Sequence, residues 1–285
     1  MPKHMLIFGL GYTASHLADA LRADGWRVTG IKRIAGEHIL AFGDQAAVLD
    51  ALRTATHILS SVPPARDGND PVLTHYGGAI AAAPAIWTGY LSSTGVYGDA
   101  GGAWVDESAP VTGRRAGRNV ADLAWQSLCT GSRVFRLPGI YGPGRSALDR
   151  VAEGKAHRID LPDQVFSRVH VDDIVSGIIA SFGGPAGIYN LADDNPCSQN
   201  LVIEAACDLL GLPYPAMQSL DEANLSPMAL AFYAENRRVA NGKAKLLLGW
   251  TPQYANYRAG LAACMATNIP AITSAAPLAA SIDQT

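Results

Sequence analysis

A short glycine loop near the start restricts the fold more than any other feature of this chain. Gly9-Leu10-Gly11-Tyr12-Thr13-Ala14 follows the apolar run Met5–Phe8 and leads into Thr13–Asp24, where Leu17 and Leu21 share one helical face. G-x-G-x-x-G/A between a strand and a helix predicts a dinucleotide-binding turn. Gly9 permits the tight turn, Gly11 lets a pyrophosphate approach the backbone, and Ala14 keeps the helix close to the sheet. Tyr12 and Thr13 open a helix whose free N–H groups and partial positive charge suit phosphate. The alternative for the same residues is a tight strand–helix turn with no ligand.

The rhythm continues through the first half. Arg27–Ile31, Thr56–Ser61, Tyr90–Ser93 and Arg133–Leu137 read as strands, and Ala46–Thr54 and Val120–Leu128 as helices. Ala79–Ile86 reads as helix-associated, with Pro84 ending or kinking any helix there. Strand–helix alternation predicts an α/β fold with a doubly wound parallel sheet. Further on, Val165–Val171 and Gly187–Leu191 read as strands, and Asp172–Phe182 and Asn200–Leu210 as helices, the latter ending at Gly211. Tyr214–Ala223 reads as loop, and 266–285, rich in Ala, Ser and Thr, as a loosely attached tail.

The end of the second strand bears on cofactor choice. A site selective for NAD places Asp or Glu about 20 residues beyond the glycines to hold the ribose 2′-hydroxyl. Here Lys32 and Arg33 occupy that region, and no carboxylate precedes Glu37. A 2′-phosphate is a ligand for such cations, so NADP is expected over NAD; the alternative is a solvated strand end. Ser60, Ser61 and Val62 close the next strand, where backbone would meet the ribose. Asp44 is either an adenine contact or a turn carboxylate, and Ala65–Asp70 either a lid or a plain polar loop.

Composition excludes several classes. The chain has 285 residues, 48% hydrophobic and 16% charged, which supports a sizeable core and argues against disorder. A net charge of −3 without a long basic run argues against nucleic acid or an anionic membrane as partner. No apolar run reaches the roughly 18 residues of a membrane span, and no basic leader precedes Met5, so a cytoplasmic location is expected. Cys129, Cys197, Cys207 and Cys264 are scattered without Cys-x-x-Cys spacing, so no metal site is expected and the cysteines read as buried apolar groups.

Further motifs occur in order: Leu91-Ser92-Ser93-Thr94-Gly95-Val96-Tyr97-Gly98, Arg136–Gly144 (RLPGIYGPG), His170-Val171-Asp172-Asp173, Tyr189-Asn190-Leu191-Ala192 and Leu248–Pro252 (LGWTP). With the glycine loop, this set over residues 5–264 resembles the extended short-chain dehydrogenases/reductases of the NAD-dependent epimerase/dehydratase family. The resemblance implies a Rossmann-like domain, 1–140 rejoined by 166–191, and a smaller C-terminal substrate domain from 141–165 and 192–265. It places Ser93, with Thr94 beside it, where the family hydrogen-bonds the substrate oxygen; a strand-end hydroxyl can otherwise simply cap a turn. It brings Leu137, Pro138 and Tyr141 near the nicotinamide, and gives His170 and Asp173 a packing role between domains.

The resemblance fails at one point. The family uses a Tyr to exchange the proton and a Lys four residues later to stabilise the phenolate. Aligning Gly117 with the family's Tyr-Gly puts Ala116 at the Tyr position and Val120 at the Lys position, and no Tyr in the chain precedes a Lys at that spacing. The chain thus resembles an atypical branch without the dyad. Losing a positioned acid/base costs about 10²–10⁴ in rate. Tyr97, Asp99 and Tyr141 are candidate replacements, and Arg118 a candidate for stabilising an anion. Two functions follow: an NADP-dependent oxidoreductase or epimerase/dehydratase for a nucleotide sugar or small carbonyl compound, or a catalytically silent NADP-binding sensor or partner-binding protein. Among scattered cations that could meet a diphosphate (Arg145, Arg158, Arg168, Arg237, Arg238), Arg168 is favoured by its place before Val169-His170. A homodimer is compatible with the resemblance.

Overall fold

A computed structural model describes residues 3–65 and 67–268. The expected tail lies outside these residues from 269 onward; 266–268 end a helix.

The first strand shows how the fold is built. β1 (His4–Phe8) is buried at every position. Met5 and Ile7 enter one core and Leu6 and Phe8 another, because successive strand side chains point to opposite faces. A sheet covered on both faces therefore reads as an unbroken apolar run. The sheet continues with β2 (Arg27–Lys32), β3 (Ile39–Ala41), β4 (His57–Ser60), β5 (Trp87–Ser93), β6 (Ser132–Leu137) and β7 (Gly187–Asn190). These seven strands lie in the order β7-β6-β5-β4-β1-β2-β3, and every pairing is parallel. Strand order reverses between β1 and β4, so the loops after these strands diverge and open a crevice at the carboxyl edge. The chain thus folds as an α/β Rossmann-like protein.

Apolar helix faces fill both sides. Helix α1 (Tyr12–Ala23) packs Ala14, Leu17, Ala18 and Leu21 into the first core. On the other face, α2 (Gln45–Thr54), α3 (Pro71–Ala81) and α4 (Ala116–Ser127) bury residues such as Val48, Tyr76 and Trp125. A third core joins α5 (Ala147–Ala152), α7 (Gln199–Leu210) and α10 (Tyr257–Asn268), while α6 (Val171–Ala180) packs back on the first. Short helices α8 (Pro227–Tyr233) and α9 (Gly242–Leu248) lie between α7 and α10 in sequence. Among the described residues no helix is long and apolar enough to cross a membrane.

Several elements differ from expectation: the strand expected over Val165–Val171 is confined to Arg168–His170, with Val171 opening α6, and Met217–Gln218 form a short strand within the stretch expected as loop. Strand β3 is three residues long, too short for a period-2 pattern to show. Helix α3 begins at Pro71, eight residues before the expected helical stretch, and ends before Pro84, which lies in the following loop. Asp70 caps α3, accepting from the N–H groups of Val72 at 2.8 Å and Leu73 at 3.0 Å, with Pro71 in the first turn. Val72 and Thr74 are β-branched and Gly77 and Gly78 are poor helix formers, so cap and packing decide the helix rather than propensity.

Candidate active and cofactor-binding site

The glycine loop lies at the strand-order reversal. Gly9 has φ +82°, and a Cβ there would come within 2.8 Å of Val62 Cγ2 and 3.1 Å of Ser61 Oγ. Conformation and close packing both require glycine. Gly11 is different. Its backbone is extended, it is the N-cap of α1, and a Cβ there would meet nothing within 4 Å. The space in front of Gly11 is therefore open, and no side chain caps the first N–H groups of α1. Open space before uncapped helix N–H groups is what a phosphate needs. Thr13 and Ala14 are buried beneath the turn.

Neighbouring residues frame this turn. Ser61 Oγ donates to the carbonyl of Gly9. Ser60 is fully buried, and its hydroxyl lacks a hydrogen-bond partner among the described residues. Tyr12 donates to the carbonyl of Pro143 at 3.1 Å, and the Arg145 guanidinium lies 5.5 Å from its ring centroid. Burial pushes the Tyr12 hydroxyl up to about 12, so it stays protonated and serves as an anchor between the 142–145 loop and α1. Lys32 and Arg33 are exposed at the end of β2, without a carboxylate partner among the described residues. Glu37 instead approaches His38, at 3.9 Å. Asp44 caps α2, accepting from Ala47 N at 3.1 Å, which occupies it as a turn carboxylate.

A cavity of about 370 Å³ adjoins this region. Ser93, Thr94, Pro138 and Gly139 line it, together with Arg114, Arg115, Arg118, Arg145 and Arg237 and the single carboxylate Glu235. Ser93 and Leu137 are register partners at the ends of β5 and β6, which sets the two motifs side by side. Ser93 Oγ accepts from Gly95 N at 3.1 Å, so the hydroxyl caps a turn and still faces the cavity. Arg114 and Arg237 each meet Glu235 at 2.8 Å. Arg115, Arg118 and Arg145 have no carboxylate partner among the described residues, so the lining carries a large positive excess.

Helix α4 is oriented by an ion pair beneath the cavity. Asp122 and Arg136 are 0% and 1% exposed. Arg136 donates to Asp122 through Nη2 at 2.7 Å and Nε at 3.1 Å, while Ser92 Oγ donates at 2.6 Å and Gln126 Nε2 at 2.6 Å. With Asp122 facing the sheet, Arg118 and Arg115 lie one and two turns back on that side. Ala116 and Val120 point away; Val120 is 62% exposed and neither lines the cavity. The positions aligned with the dyad thus do not line this cavity, and two arginines do. Residues 67–70 dock on this turn: a Cβ on Gly117 would come 2.5 Å from Gly68 Cα, and Asp70 accepts from Trp125 Nε1 at 2.8 Å.

Arg115 is the N-cap of α4, and the first turn contains no acidic residue. A cation at this positive end costs about 0.3–1 kcal/mol. Such a local violation is expected where function requires it. The helical spacing 115–118–122 was readable once Asp122 was recognised as buried, but a charged residue gives no such signal in a single sequence.

The candidate replacement acids do not line this cavity, although Tyr141 lines an adjoining one of about 680 Å³ that shares Gly139 and Arg145 with it. Tyr97 donates to Asn190 Oδ1 at 2.7 Å, with the Arg136 guanidinium 4.8 Å from its ring centroid. Tyr141 packs edge-on against His170 in the third core. Burial pushes both phenols up, and neither lines the Ser93 cavity. Asp99 accepts from Asn236 N at 2.8 Å and also lies outside that cavity. His170 Nδ1 accepts from Asp172 N, and Asp173 accepts from Gln253 N and Tyr254 N, tying α6 to the segment before α10. Arg168 is not free for a diphosphate: its guanidinium donates to the carbonyls of Phe166, Cys197 and Ser198. Arg158 pairs with Glu204 at 2.6 Å, and Arg238 donates to Gly102 O.

No protein-family model matches the chain. Two solved structures share its fold at low identity. One is the human epimerase family protein SDR39U1 with NADPH (TM-score 0.74, 16% identity, 93% of this chain and 100% of that one). The other is MoeE5 in complex with UDP-glucuronic acid and NAD (TM-score 0.71, 20% identity, 91% and 97%). The likeness to these two is one of fold. A functionally unknown conserved protein from Silicibacter pomeroyi DSS matches more closely, with TM-score 0.86 and 43% identity over 93% of this chain and 99% of that one. Protein YeeZ of Escherichia coli (strain K12) is 30% identical over 260 residues, 77% of this chain and 88% of that protein. The chain belongs to the YeeZ family.

Proposed function

We propose that this protein is an NADP-dependent oxidoreductase or epimerase/dehydratase acting on a nucleotide sugar or small carbonyl compound. One observation carries the reading: the Ser93-Thr94 hydroxyls, the Pro138-Gly139 turn and unpaired arginines line one cavity, which Arg145 and Tyr12 link to the glycine loop. The structures with NADPH, and with UDP-glucuronic acid and NAD, show that this fold accommodates such ligands.

The residues fit the cofactor, since the space before Gly11 is open and α1 begins uncapped. The Gly9–Ala14 turn would hold the pyrophosphate, and Lys32 and Arg33 the 2′-phosphate that distinguishes NADP. Ser60, Ser61 and Val62 would flank the ribose, and Pro138 the nicotinamide. When bound, the cofactor supplies or accepts a hydride. Residues 1–140 and 166–191 would form this cofactor side, with 141–165 and 192–265 closing the substrate side.

Chemistry at the substrate oxygen falls to Ser93, Thr94 and Arg118. The hydroxyls would hold the oxygen and pass a proton between it and water. Arg118 would stabilise negative charge there without exchanging a proton, because a guanidinium stays charged near neutrality. A site of this kind runs slower than one with a positioned phenol. The second reading, a silent NADP-binding protein, is favoured by the lack of any Tyr or Lys lining the cavity.

Absorbance of the reduced nicotinamide, followed against sugar nucleotides and small carbonyl compounds, tests the choice. Turnover that Ser93→Ala removes supports the enzyme. Stoichiometric NADPH binding with no turnover across both classes refutes it in favour of the silent reading.

A further inference from the structure

We infer that the substrate carries its negative charge at the reacting end, as a carboxylate held by Arg115 and Arg118 beside Ser93 and Thr94; this names a small 2-oxo or 2-hydroxy acid. The inference rests on reading the 370 Å³ cavity as the reaction chamber.

The distribution of unpaired charge is the reason. Arg114 and Arg237 share the one carboxylate of Glu235, and each also donates to a backbone carbonyl, of Ala231 and Gly98 respectively, which fixes both guanidiniums in place. The cations left without a carboxylate are Arg115 and Arg118 on α4 and Arg145 over Tyr12. Register fixes their level. Asp122 touches Ser92, and Arg118 lies four residues nearer the start of α4. Four helical residues rise about 6 Å, close to two strand residues. Arg118 is therefore level with Ser93-Thr94, and Arg115 stands over the cavity beyond it.

The same positions exclude other roles. Neither guanidinium can relay a proton, and neither balances a protein carboxylate. Arg115 is exposed and Arg118 half-buried, so both guanidiniums are solvated and open to an anion that enters the cavity. The guanidinium fork matches a planar carboxylate with paired hydrogen bonds. A nucleotide sugar carries its charge on the diphosphate, away from the reacting carbon.

Calorimetric titration of oxalate, a planar 2-oxo acid mimic, into the NADPH-saturated full chain tests this. The expected result is saturable binding that weakens at least tenfold in Arg115→Ala/Arg118→Ala. It should be unchanged in Lys155→Ala, an exposed cation outside the cavity. Arg115→Lys/Arg118→Lys, which keeps charge and loses the fork, should fall between. NADPH binding without oxalate binding, or equal oxalate affinity in the double alanine variant, overturns the inference alone. So does UDP binding that is lost in that variant, which would assign the arginines to a diphosphate. Failure to bind NADPH overturns the function proposed above and this inference with it.

Discussion

Gly11→Ser separates folding from cofactor binding more sharply than any other single change. Gly11 caps α1 in an extended conformation, and a Cβ there meets nothing within 4 Å. A serine fits without strain, and its hydroxyl can accept from an N–H of the first turn that no side chain now uses. Replacing glycine at a compatible position also lowers unfolded-chain entropy, by about 0.4–1 kcal/mol. The variant should thus be more stable by about 0.5–1 kcal/mol, a rise of roughly 1–2 °C in Tm for a chain of this size. The same hydroxyl fills the phosphate approach and takes a donor from it. Losing one charge-assisted hydrogen bond costs about 1.5–3 kcal/mol, or about 10- to 150-fold in affinity. A thermal melt and an NADPH fluorescence titration on the same preparation read both effects. Wild-type NADPH affinity in Gly11→Ser would refute phosphate binding at this turn. A lower Tm would refute the N-cap argument.

Three further outcomes are expected. Asp122→Ala leaves Arg136 charged and buried without its partner, which should cost about 3–5 kcal/mol in chemical denaturation; a loss below about 1 kcal/mol contradicts the buried pair. Lys32→Ala/Arg33→Ala should weaken NADPH tenfold or more and leave NADH unchanged, measured by titration of each; equal losses for both nucleotides exclude 2′-phosphate recognition. Burial and the nearby Asp194 and Asp173 raise the Asp193 carboxyl to about 7, above the unfolded value of about 3.9, so the native state holds its proton longer. Its contribution is fully present below about pH 4 and is lost as pH rises through 7; Asp193→Asn should therefore gain stability relative to wild type as pH rises from 4 to 8, and a pH-independent difference would contradict the shift.

How far the sequence could be read depended on the residue type that carried each feature. The parallel sheet was legible because Met5–Phe8 and its counterparts are apolar on both faces, and the glycine loop because two conformational requirements fall at fixed spacing. Helix α3 was largely hidden, since an Asp cap and packing overcame its β-branched and glycine residues. Within the cavity, Ser93 and Pro138 were marked by motif, whereas Arg115 was not. Aligning Gly117 to a motif could not tell which side of α4 meets the sheet, because only the buried Asp122 reveals it. Arg168 looked like a free cation and proved to bind backbone carbonyls. Polar residues that satisfy buried groups and polar residues that await a ligand look alike until packing is known.

Parallel titration of NADPH and NADH into the wild-type protein at physiological salt tests the central claim most directly. One saturable site with NADPH at least tenfold tighter is the predicted result. Absence of binding, or NADH binding as tightly as NADPH, would contradict it.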